Sequence, residues 1–527
     1  MNKFTNALLL LGCAVVLVAA SKHETDPQAW WKHIEYLASD EMKGRNTGSP
    51  EYVKAAQYVA AQYDSAGLKP AGIKGYFQPV SFVQKTIDES KSSLSLVRDG
   101  KVEPLKLGTD AYMSTRVDLA PKIEADVVFV GYGLRFPELG IDDFEGLNVK
   151  GKLVLVLAGE PAGIPGPLLA HNTAERSKVL RELGAVGSVT LASPKRSDLP
   201  WTRAALMRTA PSMALSDPNM NESKGIVMSI SVNPDAAEKW FEGTGHTAKE
   251  LIEADDQHKP LPKFPLKVKV RATSHVDRKP IESMNVVGLL PGSDPKLKNE
   301  YVVMSAHLDH IGTGPAIDGD TIYNGAMDNA SGVASLIEIA RQLKGAKLKR
   351  SVVFLSVTGE EKGLLGSKFF ANSPTVKGKI VTNLNLDMFL PIVPPKYLVA
   401  YGMDESELGD RLKPIAQKLG VEILPDPAPG RNIFIRSDQY NFIKQGVPAL
   451  SFKISAKKGT PESEVLEQWM KKRYHAPSDD LKQPVSLEAA GVFNDMLLEL
   501  TRNVANTEER PHWKSESFFK RFEKKTD

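Results

Sequence analysis

Tyr301-Val-Val-Met-Ser-Ala-His307-Leu-Asp-His310 is a short apolar run that ends in side chains able to bind a metal. An apolar run of this length reads as a strand buried on both faces. Two later runs repeat the pattern: Ser351 to Thr358 precedes Glu360-Glu361, and Ile380 to Leu386 precedes Asp387. Helical spacing over 331–343 and 363–370 separates these strands. Buried strands alternating with helices predict an α/β fold: a doubly wound, mostly parallel sheet with helices on both faces. Ligands of such sheets bind beyond the carboxyl ends of the strands, where His307, Asp309, Glu360, Glu361 and Asp387 fall. Asp328 lies in a glycine-flanked turn before a helix. His475 lies in the loop Tyr474-His475-Ala476-Pro477.

Outward from this core, the alternation begins with Asn285 to Leu290 and continues through 405–419, 431–453 and 486–503. We assign residues 276–505 to a catalytic domain. Upstream, Trp30, Ile34 and Leu37, and then Tyr52, Ala56, Val59 and Tyr63, fall at helical spacing. Residues 21–114 are therefore read as the N-terminal part of the same domain, and the polar loop Lys43 to Gly48 as a surface turn between its helices. Residues 115–275 change to short β-rich runs with no catalytic set, which predicts an inserted β-rich domain. His171, His246, His258 and His275 there read as surface histidines. Residues 506–527 read as a charged, solvated tail.

The 527 residues carry 67 basic and 64 acidic side chains, a formal charge of +3, so nothing favours nucleic acid or an acidic membrane surface. Lys3, the apolar stretch Ala7 to Ala20 and the small residues Val18-Ala19-Ala20 predict a signal peptide, 1–20, and export to the periplasm or medium. Leu10-Leu11-Gly12-Cys13 resembles a lipidation box, but Cys13 is read as an ordinary member of the apolar run. It is the sole cysteine. Cleavage after Ala20 leaves no thiolate, so any metal must sit on histidines and carboxylates.

Singly these features are weak, because a His-Leu-Asp-His is commonly a turn and a Glu pair a solvated helix start. Their recurrence at equivalent strand ends changes the reading. So many carboxylates at one rim repel one another unless divalent cations sit among them. Nitrogen and oxygen donors without sulfur suit catalytic zinc, with manganese or cobalt as substitutes.

Five segments then carry a resemblance: His307-Leu-Asp-His310, Asn324-Gly-Ala-Met-Asp-Asn-Ala-Ser-Gly332, Thr358-Gly-Glu-Glu-Lys-Gly-Leu-Leu-Gly-Ser367, Asn385-Leu-Asp-Met388 and Tyr474-His-Ala-Pro-Ser-Asp479. In order and approximate spacing they resemble the motifs of the co-catalytic two-zinc aminopeptidases of peptidase family M28. The resemblance implies two Zn²⁺ per chain, bridged by Asp328. His307 and Asp387 would complete one site, and Glu361 and His475 the other. It makes Glu360 the general base and gives Asp309 the task of orienting His307 by accepting its second ring N–H. It also implies a cis peptide at Asp328-Asn329. Tyr474 is a candidate to hold the developing oxyanion. Val130-Gly-Tyr-Gly133 and Gly146 to Lys152 resemble the protease-associated domain inserted in many such enzymes. Met327 and Gln439 depart from the family pattern at positions that are not ligands.

The expected substrates are peptides with a free N-terminus, cleaved after their first residue. A carboxypeptidase or dipeptidase on the same site is the alternative enzyme, for which Arg431 and Arg436 could supply a carboxylate pocket. A non-catalytic, receptor-like binding protein on the peptidase fold is the alternative of another class, disfavoured by the full set of ligands and base.

Overall fold

The computed structural model describes residues 23–159, 161–196 and 200–524. The signal-peptide and Cys13 readings lie outside the described residues. Two large sheets organise the chain.

The sheet that carries the site is built around β1 (Phe77–Ile87), β2 (Val276–Leu290), β3 (Glu300–His307), β4 (Ser351–Val357), β5 (Lys379–Asn385), β6 (Tyr397–Tyr401) and β7 (Ala449–Ser455). Their order is β1-β2-β4-β3-β5-β7-β6. β4, β3, β5 and β7 run parallel to one another. β2 joins β4 antiparallel, as β1 joins β2 and β6 joins β7. "Mostly parallel" therefore describes only the middle of the sheet, and the fold is mixed α/β. Long antiparallel flanks are the part that strand–helix alternation cannot reveal.

Period-two alternation explains why the central strands look continuously apolar. In β3, Val302, Met304 and Ala306 enter one core cluster, whereas Tyr301 and Val303 enter another on the opposite face. Helices cover both faces. α1 (Pro27–Leu37), α2 (Pro50–Ser65), α3 (Ser331–Gln342) and α4 (Leu487–Asn506) contribute Trp30, Val59, Leu336 and Leu497 to the larger cluster.

The second sheet has eight strands drawn from Ser93–Arg98 through Phe264–Thr273, with its own core around Val127, Leu155, Val189 and Trp240. Its strands begin upstream of residue 115, and Ser212–Leu215 crosses to pair with β1 in the first sheet. Two local readings are corrected. The segment after Asn506 is no solvated tail: Trp513 and Phe519 are buried against Tyr401 and Phe434. Nor is the Lys43–Gly48 loop a surface turn, since Gly44, Arg45 and Thr47 are all buried. Among the described residues, no helix is long and apolar enough to cross a membrane.

Candidate metal centre

The carboxyl ends of β3, β4 and β5 deliver His307, the Glu360-Glu361 pair and Asp387 to one rim, and the turn before α3 delivers Asp328. Gly325 permits that turn. Its φ is +64°, and a Cβ there would lie 2.2 Å from the Asp328 carbonyl oxygen and 2.6 Å from the His310 ring. The Asp328-Asn329 peptide is cis, as the resemblance implies. Asp479 holds the turn from below. Its carboxylate accepts the Met327 N–H at 2.9 Å and the Asp328 N–H at 3.0 Å.

Two donor groups share Asp328. Asp328 Oδ1 lies 3.2 Å from His307 Nε2, which is itself 3.4 Å from Asp387 Oδ1. Asp328 Oδ2 lies 3.4 Å from His475 Nε2, which is 3.3 Å from Glu361 Oε2. His310 joins the second group, a position that sequence reasoning quoted but left without a role. It is fully buried, with Nδ1 2.7 Å from Glu361 Oε1 and 4.0 Å from Asp328 Oδ2. Yet His310 Nδ1, His310 Nε2 and Glu361 Oε1 have no aligned hydrogen bond. Buried polar atoms that converge without bonding one another suit a cation between them. His307, Asp328 and Asp387 form one grouping of donors able to hold a metal ion, and His310, Asp328 and Glu361 a second. The residues present therefore fit zinc.

Electrostatics agree with this division. Burial opposes ionisation of Asp328, but hydrogen bonds from His307 and His475 outweigh it and hold the carboxyl well below the usual range. Glu361 is likewise buried, yet the charges of His475 and His310 bring it down to about 2. Glu360 goes the other way: burial pushes it well above the ordinary value, His307 opposes, and Glu361, Asp387 and Asp438 add to the rise. Burial and charge thus drive the two adjacent carboxyls in opposite directions. Asp438, whose oxygens are buried without an aligned hydrogen bond, is pushed up to about 7, chiefly by burial.

Asp309 serves differently from the expectation. His307 Nδ1 meets the main-chain oxygen of Asp309 at 3.0 Å rather than its carboxylate. The carboxylate instead accepts the N–H groups of Glu360 at 3.1 Å and Glu361 at 3.4 Å, and the Thr47 hydroxyl at 3.0 Å. Tyr474 stacks on His475, with ring centroids 4.0 Å apart. The two departures from the family pattern are structural. Gln439 bridges Asn385 and the Phe434 carbonyl oxygen, and Met327 packs with Met388, Leu390 and Trp469.

The unexpected brace is Arg45. Its guanidinium donates to the carbonyl oxygens of Leu37 at 2.5 Å, Asn324 at 2.7 Å, Leu308 at 2.9 Å and Gly325 at 3.0 Å. It thereby ties α1 to the two segments that carry His307, His310 and Asp328. A lone arginine in a glycine-bearing loop gives no signal of this in the sequence. Asp479 had a better signal, because it closes the segment Tyr474 to Asp479 that carries part of the resemblance.

The model of peptidase family M28 matches residues 285–501. Over 234 residues the chain is 26% identical to aminopeptidase YwaD of Bacillus subtilis, covering 44% of this chain and 46% of that one. Over 211 residues it is 28% identical to aminopeptidase Y of Saccharomyces cerevisiae, covering 38% and 35%. The match thus spans less than half the length of these curated relatives. An aminopeptidase from Aneurinibacillus sp. strain AM-1 shares the fold, with a TM-score of 0.54 at 20% identity over 92% of this chain and 96% of that one. The resemblance to peptidase family M28 therefore holds over residues 285–501, the segment that carries His307, Asp328, Glu361, Asp387 and His475.

Proposed function

We propose that this chain is a metallo-aminopeptidase that removes N-terminal residues from peptides, with two Zn²⁺ per chain and Glu360 as general base. The observation that carries the reading is the Asp328 carboxylate, which turns one oxygen to His307 and the other to His475. His307, Asp387 and Asp328 would hold one ion; Glu361, His475, His310 and Asp328 the other. Bound zinc supplies Lewis acidity and brings the pKa of water to about 7.

The protein's own groups supply the rest. Glu360 adjoins the donor Glu361, and its raised carboxyl suits a group that takes a proton from water and returns it to the leaving amine. Asp309 fixes both glutamates through their amides, so base and ligand keep one relative position. Tyr474 offers its hydroxyl to the developing oxyanion while its ring steadies His475. The acidic rim receives the substrate's α-ammonium, which restricts cleavage to free N-termini. The second body, read as a protease-associated domain over 115–275, walls the site: Arg203 donates to the main-chain oxygens of Tyr474 and His475. Export is part of the same reading.

The test uses free and N-acetylated aminoacyl chromogenic amides with zinc-loaded protein, the chelated form and Glu360→Gln. Hydrolysis of free-amine substrates alone is expected, lost on chelation. Glu360→Gln should lose at least 100-fold in kcat with zinc content unchanged. Cleavage of the blocked amide, or full activity in Glu360→Gln, overturns the reading.

A further inference from the structure

Most donors of the metal centre follow the ends of sheet strands or sit in the turn that Arg45 and Asp479 brace. His475 does not. It lies in an irregular loop beyond the helix Pro461–Lys472, and its backbone is left-handed, with φ +51°. That region disfavours residues other than glycine, so a histidine stays there only where its surroundings hold it. The His475 side chain is also the least enclosed of the donors. It is 28% exposed, against 16% for Asp387 and 6% or less for the others.

The second body supplies a hold through Arg203, on its short helix Trp201–Leu206. Arg203 Nη1 donates to the main-chain oxygen of Lys471 at 2.8 Å. Its Nη2 donates to the main-chain oxygens of Tyr474 and His475, the latter at 3.3 Å. Lys471 lies in the last turn of its helix, where carbonyl groups lack an intrahelical donor. One planar fork thus joins the end of that helix to the ligand residue and to the tyrosine stacked on it.

The fork has a fixed base. Trp201 Nε1 donates to the Gly108 carbonyl oxygen at 3.1 Å, and its ring centroid lies 5.2 Å from that of Tyr112. Just past the helix, Arg208 grips the Glu89 carboxylate at 2.9 to 3.1 Å. The second body is also docked elsewhere. Glu222 pairs with Lys368 at 3.0 Å and Lys444 at 2.9 Å, and His171 Nδ1 meets the Tyr440 hydroxyl at 2.8 Å. These contacts fasten it beside the first sheet at residues remote in sequence from the His475 loop, so docking does not depend on Arg203 alone.

Resting on the two-zinc reading, we infer that Arg203 is a positioning residue through which the second body fixes the His475 loop and so completes the zinc site of Glu361, His310 and Asp328. A ligand on a loop needs outer contacts to hold its ring in place, and losing them typically weakens metal binding by about 10- to 100-fold. The effect is confined to one ion, because His307 and Asp387 are held by β3 and the end of β5. Coupling of this kind is reciprocal: zinc bound by His475 tightens the Arg203 clamp in turn.

The experiment titrates the chelated full chain with Zn²⁺, and His475→Ala identifies which of the two affinities belongs to the His475 site. Arg203→Met should weaken that affinity about 10- to 100-fold and leave the other unchanged. Glu222→Gln, which loosens the docking elsewhere, should leave both unchanged. Hydrogen exchange supplies a readout independent of affinity. Zinc loading should slow exchange of the Trp201–Leu206 amides in wild type, and the slowing should vanish in Arg203→Met. Melting temperature certifies the fold of each variant. Two unaltered affinities in Arg203→Met, an equal loss in Glu222→Gln, or wild-type exchange indifferent to zinc overturns the inference. A wild type that takes up one zinc overturns the two-zinc reading and this inference with it, so the wild-type titration tells the two failures apart.

Discussion

Replacing Arg45 by Met tests whether the buried guanidinium carries the site's architecture. The methionine side chain nearly fills the vacated volume, so the loss isolates the hydrogen bonds. Four carbonyl oxygens lose a donor, and among the described residues only the Gly325 oxygen keeps a second one, the Ala330 N–H at 3.2 Å. Leaving a buried acceptor unsatisfied costs about 1–3 kcal/mol. Three such losses amount to roughly 5 kcal/mol, in the exceptional range for one substitution. At about 2–4 °C per kcal/mol for a large domain, the melting temperature should fall by roughly 10 °C or more. Arg45→Lys keeps the charge beside Asp479, Asp309, Asp328 and Glu361, but a single ammonium cannot reach four divergent oxygens. It should recover less than half of the loss. Urea unfolding and calorimetry of both variants, zinc-loaded and chelated, give the comparison. An Arg45→Met protein within about 1 kcal/mol of wild type would refute the brace. Full recovery in Arg45→Lys would show that charge matters rather than the guanidinium fork.

Two further outcomes are expected. His310→Ala should weaken the Glu361–His475 zinc site at least tenfold and leave the His307–Asp387 site tight; titration of the chelated protein with zinc checks this, and two unaltered affinities would remove His310 from the donor set. Asp438→Asn should stabilise the chelated protein in a pH-dependent way. Burial raises the folded carboxyl to about 7 against an ordinary 3.8, so folding opposes its ionisation. The stability penalty is absent below about pH 4, grows as pH rises and is complete above about pH 7. The gain in Asp438→Asn, up to a few kcal/mol, should follow that course; an equal gain at pH 4 and pH 8 contradicts the assignment.

Much of the candidate metal centre is legible in the sequence. A buried strand has a readable end, and His307, Glu360, Glu361 and Asp387 follow such ends directly, so their common rim comes from local pattern plus the geometry of a sheet. Asp328 and His475 needed the family resemblance, because a turn and a loop carry no periodicity to locate them. The same limit hid His310: it adjoins Asp309 in sequence, but only the fold shows its ring buried against Glu361 without a hydrogen-bond partner.

Other features lay wholly beyond the sequence. Arg45 looks like a solvated loop residue until α1, the Leu308 segment and the Asn324 turn close around it. Trp513 and Phe519 sit in a charged stretch, yet they fill a gap beside Tyr401 and Phe434. The antiparallel flanks and the crossing of Ser212–Leu215 into the first sheet were equally invisible. Local order along the chain thus determined that His307, Glu360, Glu361 and Asp387 would share one rim. Tertiary structure decided which atoms pair and which loops are buried, because those contacts join separate segments whose approach depends on the path of the whole chain.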